Sequence, residues 1–189
     1  MKSLHTKTTK IAGTAVLGAL VVVFDYTLKF SGLKIPFPLF PMLKFDFTGI
    51  PIVLSYLVFG LSSGATTSSI AFLAILLRSG DAIGPLMKAI AELSTIAGMA
   101  LFIRRTNRMG KTVSIALGLV LRVVVMSGVN LIVLPIFYAQ YYTFSAAVLL
   151  LPLIGVFNTI QGSISIFGGL LIYKAIAGTI PLTTYRVTS

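Results

Sequence analysis

The sequence is poor in the residues that carry most redox, metal and acid–base chemistry. It has no cysteine and no tryptophan, and its single histidine, His5, lies in a polar segment near the N-terminus. Disulfides and thiol chemistry are therefore excluded, and no buried histidine is available for a metal site or a proton relay. We expect no catalytic residues, no cofactor and no metal.

Charge is also scarce, especially negative charge. Charged residues make up 10% of the 189 residues, with 15 Lys and Arg against 4 Asp and Glu, whereas soluble domains average about 25%. With 57% hydrophobic residues, the composition indicates an integral membrane protein, and the length suits a single domain over 1–189. A net charge of +11 would suggest nucleic acid in a soluble protein. Here most cations flank apolar segments, so we expect surrounding membrane lipid and no nucleic-acid partner.

The apolar segments predict an all-α bundle of six transmembrane helices. Breaks at glycine, proline and charged residues separate them, and the second and third are short and could form one re-entrant pair. Residues 145–151 could form a short separate helix before the last span. The predicted spans are about 8–30, 50–60, 65–77, 86–103, 113–138 and 152–177.

The connection between the first two spans, Gly32 to Phe47, is predicted to be an ordered external loop or a lid. Pro36, Pro38 and Pro41 prevent a helix there. Its four phenylalanines argue against disorder. Lys34, Lys44 and Asp46 make the loop polar.

The distribution of cations predicts the orientation. Lys2, Lys7 and Lys10 lie before or at the start of the first span, four cations lie between the fourth and fifth spans, and Lys174 and Arg186 lie at the end of the chain. With six spans, these groups fall on one side, which the positive-inside rule makes cytoplasmic. We expect a multi-pass protein of the cell membrane with both termini in the cytoplasm.

Three amides stand out in and near the long uncharged run from Val123 to Tyr173. Asn158 and Gln161 are three residues apart and share a helix face, and Asn130 lies on the preceding span. An unpaired amide in lipid costs several kcal/mol. The amides therefore either hydrogen-bond between helices or line a pocket. At 1.5 Å per residue, Asn130 and Asn158 are predicted to lie about 10 Å and about 9 Å below the outer surface, which favours a shared pocket under the loop.

The remaining charges within the spans also need partners. Glu92 must face the bundle interior or be neutralised, and Lys88, four residues earlier, could pair with it. Arg122 is embedded in the fifth span. On the first span, Ala15 and Ala19 with Gly18 form a smooth face that another backbone could approach closely.

These features resemble the substrate-binding S components of energy-coupling-factor (ECF) vitamin transporters, most closely the riboflavin-binding branch. The resemblance covers nearly the whole chain. It is carried by Leu43-Lys44-Phe45-Asp46-Phe47-Thr48-Gly49-Ile50-Pro51, by Arg122-Val123-Val124-Val125-Met126 with Asn130 and Pro135, and by Phe157-Asn158 through Gln161-Gly162 to Tyr173-Lys174.

The resemblance implies a six-helix membrane subunit that captures a vitamin, riboflavin or a related flavin, from outside the cell. It also implies docking, through the face at Ala15 and Ala19, onto a transmembrane coupling protein and two ATPase subunits. The implied ligand contacts are Asn130 and Asn158, and the pocket predicted above adds Gln161, with Lys44 and Asp46 at the lid.

The sequence departs from the family pattern at three places. Gln161 replaces a usual lysine, Gly49 replaces a usual aspartate, and the segment Gly84 to Glu92 matches the family motif poorly. Two alternatives therefore stay open: an S component for another heterocyclic vitamin, and a structural or assembly protein with no small-molecule ligand. A membrane enzyme is disfavoured, because no motif links the four scattered acidic residues.

Overall fold

The computed structural model describes residues 7–102 and 108–177, which form six helices and one β-hairpin. The predicted six-helix architecture is confirmed within this part of the chain. The elements in order are α1 (Lys7–Phe30), β1 (Ile35–Phe37), β2 (Phe40–Phe45), α2 (Gly49–Phe59), α3 (Leu61–Ser79), α4 (Ile83–Ala100), α5 (Arg108–Phe137) and α6 (Phe144–Ala177).

Two helix boundaries differ from the sequence prediction. The break after α2 is the single residue Gly60, whose positive φ of 88° favours glycine, and α3 begins immediately at Leu61. Residues 144–177 form one continuous helix that contains Pro152, so the separate helix over 145–151 is not observed. Of the basic connection predicted between the fourth and fifth spans, residues 104–107 lie outside the described residues, and Arg108 to Lys111 begin α5.

Four of the described helices, α1, α3, α5 and α6, are long and apolar enough to cross a membrane. The helix α2 is also apolar but has 11 residues, which corresponds to about 16 Å at 1.5 Å per residue. Most of α2 is buried, and it packs against α1, α3, α4 and α6. It is therefore an internal element of the bundle.

The main hydrophobic core forms around α2. Ile52, Val53 and Tyr56 of this helix pack with buried residues of α1, α3, α4 and α6. A Cβ at Gly168 or Gly169 would lie 2.5 Å from Ile50 or 2.8 Å from Val53, so these glycines allow α6 to approach α2 closely. The other core members are Val21, Ala71, Ile96, Met99 and Ile166.

The predicted lid contains a short antiparallel hairpin, β1–β2, in which Ile35 pairs with Phe45 and Pro36 with Lys44. The hairpin contacts the α5–α6 connection, since the rings of Phe40 and Tyr142 lie 6.0 Å apart and the Tyr142 hydroxyl is 3.2 Å from the Met42 sulfur. We call this end of the bundle, where the connections α1–α2, α3–α4 and α5–α6 meet, the hairpin end.

Candidate functional site

Asp46, immediately after β2, is the centre of a polar cluster at the hairpin end. Its carboxylate forms an ion pair with Lys88 of α4 and accepts hydrogen bonds from the Thr48 backbone N–H at 3.1 Å and the Thr48 hydroxyl at 2.7 Å. The Gln161 side chain of α6 bonds the Asp46 backbone twice: its Nε2 donates to the carbonyl at 2.9 Å, and its Oε1 accepts from the N–H at 3.2 Å. Asp46 thus joins the hairpin to α2, α4 and α6.

These contacts keep Asp46 ionised. Burial alone would raise the pKa of its carboxyl group, because a low dielectric disfavours the charge. The positive charge and hydrogen bond of Lys88, the hydroxyl of Thr48 and the charge of Lys34 outweigh burial, and the pKa of Asp46 is held below its ordinary value. A charged pair therefore anchors the hairpin.

A second polar cluster lies among α4, α5 and α6, with Arg122 at its centre. The Arg122 guanidinium donates from Nη1 to Glu92 at 3.0 Å and to the Thr95 hydroxyl at 3.1 Å, and from Nε to the Asn158 side-chain oxygen at 3.2 Å. The Ser165 hydroxyl lies 3.3 Å from the same Glu92 oxygen. The prediction that Glu92 faces the interior is confirmed, since its side chain is 0% exposed. Its partner, however, is Arg122 and not Lys88, which pairs with Asp46.

The two clusters adjoin on α6, because Asn158 belongs to one and Gln161, one turn later, to the other. Both amides are buried and hydrogen-bonded: Asn158 also donates to the Ile154 carbonyl at 2.9 Å. In this arrangement both link elements together, as the interhelical interpretation expects. The polar groups of Asn158 and Gln161 also lie beside the hairpin and the space between α4 and α6.

The predicted shared depth of Asn130 and Asn158 is wrong. Gly155 lies against Val123, and Gly162 against Leu119 and Arg122, so Asn158 is level with Arg122 on α5. Asn130 is eight residues further along α5, about 12 Å at 1.5 Å per residue, and its side chain donates to its own helix at Met126. The error arose from starting the last span at Pro152, whereas α6 begins at Phe144 and brings Asn158 deeper into the bundle.

Three phenylalanines pack together where the hairpin meets α6. Phe45 stacks on Phe157 with ring centroids 4.8 Å apart and an interplanar angle of 27°. Phe37 lies 5.7 Å from Phe45 and 5.8 Å from Phe157. Phe157 of this aromatic cluster directly precedes Asn158 and lies about one turn from Gln161, and flat apolar faces beside amides suit a heterocyclic ring.

On another side of the hairpin lies a cavity of about 260 Å³, which we call the outer cleft. Lys44, which is exposed, and Asp46 both line it, so the structure brings together these two predicted lid residues. Behind it, the fully buried Asp25 of α1 binds Lys34 and Arg78, each at 2.6 Å. The lining residues are Lys29, Lys34, Met42, Lys44, Asp46, Ile75, Arg78, Ser79, Asp81, Gly84, Pro85 and Lys88.

Sequence reasoning missed the partners Lys88, Arg122 and Arg78. A signal was available, because a carboxylate in an apolar span must be neutralised by a cation. Asp25 and Glu92 lie in the predicted first and fourth spans, and Arg122 lies in the fifth. Which cation met which carboxylate required the packing of the helices.

The small-residue face of α1 is open. Ala15 and Ala19 are exposed, whereas Gly18, which the sequence analysis placed on the same face, is buried against the bundle together with Thr14. A groove of about 280 Å³ between α1 and α3 adjoins this face and is lined in part by Ile11, Ala15 and Ile70. The exposure is compatible with a docking surface.

No protein-family model matches the sequence, and no match to a curated protein reaches significance. Among solved structures, the chain is similar to the S component of a bacterial ECF transporter, with a TM-score of 0.71 over 92% of this chain and 98% of the other. This chain has the S-component fold. At 23% identity, the likeness concerns the arrangement of the whole bundle. The two polar clusters and the outer cleft, by contrast, depend on the particular side chains of this chain.

Proposed function

We propose that this protein is the substrate-binding subunit of an ECF-type transporter. It captures a vitamin, riboflavin or a related flavin, from outside the cell and delivers it together with an ATPase module. The observation that carries the proposal is the S-component fold over 92% of the chain. The polar and aromatic side chains at the hairpin end support it, because they supply a site where a fold of this kind can hold a ligand.

The proposed site lies between the hairpin and the helices α4, α5 and α6. Asn158 and Gln161 offer amide donors and acceptors there, and Asn130 lies two turns nearer the hairpin end on α5. A ligand with several ring nitrogens and carbonyls can exchange hydrogen bonds with these amides at little net cost, because it replaces one set of partners with another. Lys44 and Asp46 then act at the lid.

The aromatic cluster supports a flat ligand. Phe37 and Phe45 come from the hairpin and Phe157 from α6, so their contact is made only when the hairpin covers the bundle. An isoalloxazine ring offers a flat face for stacking of the kind seen between Phe45 and Phe157. A ligand that stacks on these rings would then change the position of the hairpin when it binds.

In the same proposal, transport requires partners in the membrane and the cytoplasm. The sequence contains no Walker A motif, so the energy of ATP must come from other subunits. A transmembrane coupling protein would dock on Ala15 and Ala19, with two ATPase subunits on the cytoplasmic side, where both termini also lie. The chain is not proposed to be an enzyme, since Asp25, Asp46 and Glu92 are each neutralised by a cation and none is held as a general base.

The first test uses the purified protein. Calorimetry with riboflavin should show saturable binding, and Asn158→Leu should weaken it about tenfold or more, since losing a ligand hydrogen bond and leaving a buried group unpaired costs 1.4 kcal/mol or more. Thr159→Val is the matched control, because Thr159 is exposed on the same helix and its hydroxyl donates to the Gly155 carbonyl of its own turn.

A thermal unfolding scan must show that Asn158→Leu is still folded. Unchanged affinity in the folded variant would mean that the amides only hydrogen-bond between elements of the bundle and do not contact the ligand. Saturable binding of another heterocyclic vitamin in place of riboflavin would keep the transport function and change its substrate. Absence of binding by all vitamins tested would favour a structural or assembly protein.

A further inference from the structure

The outer cleft carries more positive charge than its own carboxylates can neutralise. Five cationic side chains and two carboxylates line it, and Asp25 behind it contributes a third carboxylate. The cleft therefore retains about two positive charges in a protein with so few acidic residues. The cations are Lys29, Lys34, Lys44, Arg78 and Lys88.

Several of these cationic groups have N–H donors that make no hydrogen bond in the part of the chain that the structure describes. Within residues 7–102 and 108–177, the ammonium groups of Lys29 and Lys44 have no ion-pair or hydrogen-bond partner, and the Arg78 side chain bonds Asp25 through Nε alone. The two terminal nitrogens of that guanidinium thus remain available. The Asp81 carboxylate is only partly available to these cations, since it accepts hydrogen bonds from the Ile83 and Gly84 backbone N–H groups at the start of α4.

The size of the cleft suits a chemical group and not a whole vitamin. Its volume of about 260 Å³ lies below the range of about 300–1,000 Å³ typical of sites that enclose drug-sized ligands. A phosphate monoester carries a charge of about −1.5 to −2 at pH 7, which matches the excess charge. A guanidinium and flexible ammonium groups are the side chains that bind phosphate oxygens best.

We propose that the outer cleft binds the phosphate group of a phosphorylated substrate. The inference rests on the proposed transport function and deepens it, because it assigns the substrate as the phosphate ester of a heterocyclic vitamin. Asp46 connects the two regions: its carboxylate lines the cleft, while its backbone is held by Gln161 in the amide site. One ligand can therefore place its ring near the amides and its phosphate among the lysines.

Calorimetry on the full chain in detergent tests this with matched pairs: riboflavin and riboflavin 5′-phosphate, and pyridoxine and pyridoxine phosphate. The phosphate ester of the bound vitamin should bind at least tenfold more tightly than the free vitamin. Lys29→Gln with Lys44→Gln should remove that difference. Lys29→Gln alone, which lies outside the proposed lid, should reduce the difference and leave the affinity for the free vitamin unchanged. Lys111→Gln, an exposed lysine at the start of α5, is the charge-matched control and should retain it.

Equal or tighter binding of the free vitamin would overturn the assignment while leaving the transport function intact. If neither form of any vitamin binds, the proposed function fails, and inorganic pyrophosphate then tests the cleft alone. It should raise the unfolding midpoint relative to chloride at equal ionic strength in the wild type and the Lys111 control, but not in the double variant; no such difference would refute the anion site.

A lipid headgroup offers the same phosphate chemistry, and nanodiscs distinguish it from a soluble ester. Binding of the phosphate ester should be the same in phosphatidylcholine and phosphatidylglycerol nanodiscs. If phosphatidylglycerol abolishes it in the wild type, and the double variant loses retention of that lipid, the cleft is a lipid site and the substrate assignment is wrong.

Discussion

At the residue scale, Arg122 and Glu92 show how this chain tolerates charge inside the bundle. Their side chains are 3% and 0% exposed, so neither charge is solvated by water. The two side chains bond each other and also Thr95, Asn158 and Ser165, and among the described residues the second Glu92 carboxylate oxygen has no partner. Removing one member of a buried pair is far more costly than removing both, because a lone buried charge is left behind.

We therefore expect Arg122→Leu to destabilise the protein by about 3–5 kcal/mol. The double variant Arg122→Leu with Glu92→Gln should recover much of that loss, since no uncompensated charge remains. Thermal unfolding in nanodiscs measures both, with Lys111→Leu as a control for removing an exposed cation from the same helix. Equal destabilisation in the single and double variants would mean that side-chain packing, and not charge, dominates at this position.

Glu92 and Ser165 also determine which residue fits at position 49. A Cβ at residue 49 would lie 2.0 Å from the Ser165 hydroxyl oxygen and 2.7 Å from a Glu92 carboxylate oxygen. No side chain fits there while Glu92 and Ser165 keep their positions. The space beside Gly49 is thus filled by the Glu92 carboxylate from α4 and the Ser165 hydroxyl from α6.

At the scale of elements, the hairpin is the element that the sequence predicted least completely. Its prolines and aromatics predicted an ordered, non-helical segment, and the structure has an ordered hairpin there. The pairing of β1 with β2 was not predicted, because two strands of three and six residues give too little alternation to recognise. The contacts of Asp46 hold the hairpin on the bundle, so its position should depend on pH.

The hairpin should loosen in acid. The pKa of Asp46 is lowered in the folded protein, so its ion pair stabilises closure above the ordinary carboxyl pKa of about 3.9 and is lost as pH falls through the lower folded value. Because the chain has no tryptophan, Phe40→Trp gives a single tryptophan, facing Tyr142, whose emission can be followed. Its emission should stay constant from pH 7 to about 4 and shift to the red below that.

The same probe in an Asp46→Asn background is the control. That variant cannot ionise at residue 46, so its emission should already be red-shifted at neutral pH and should lack the acid transition. An acid transition of the same size in both proteins would show that another group controls the hairpin.

At the scale of the whole molecule, α1 divides its surface between the bundle and the membrane. One side carries buried Thr14, Gly18 and Val21, and the other carries the exposed Ala15 and Ala19. Small exposed side chains allow a second helix backbone to approach within van der Waals contact. The proposed assembly with a coupling protein depends on this face.

Ala15→Trp and Ala19→Trp should abolish uptake in cells that also express the coupling protein and ATPases, while the purified variants bind vitamin as the wild type does. The expectation is steric, since a large side chain prevents close helix contact. Ala175→Trp, at an exposed alanine of α6, should retain both activities. Loss of vitamin binding in the α1 variants would instead mean that these residues support the bundle.

The sequence by itself determined the membrane class, the six helices and the non-helical lid, because apolar length, proline and charge are local properties that act wherever the chain folds. It also determined that Glu92 had to be neutralised, since burial of a lone charge is too costly in any bundle. Only the tertiary structure decided that Arg122 neutralises Glu92 and Lys88 pairs with Asp46, and that Gln161 holds the hairpin. Those contacts join residues 30 to 115 positions apart. They depend on helix register. Because α6 begins at Phe144 and not at Pro152, Asn158 lies level with Arg122 on α5 and not with Asn130.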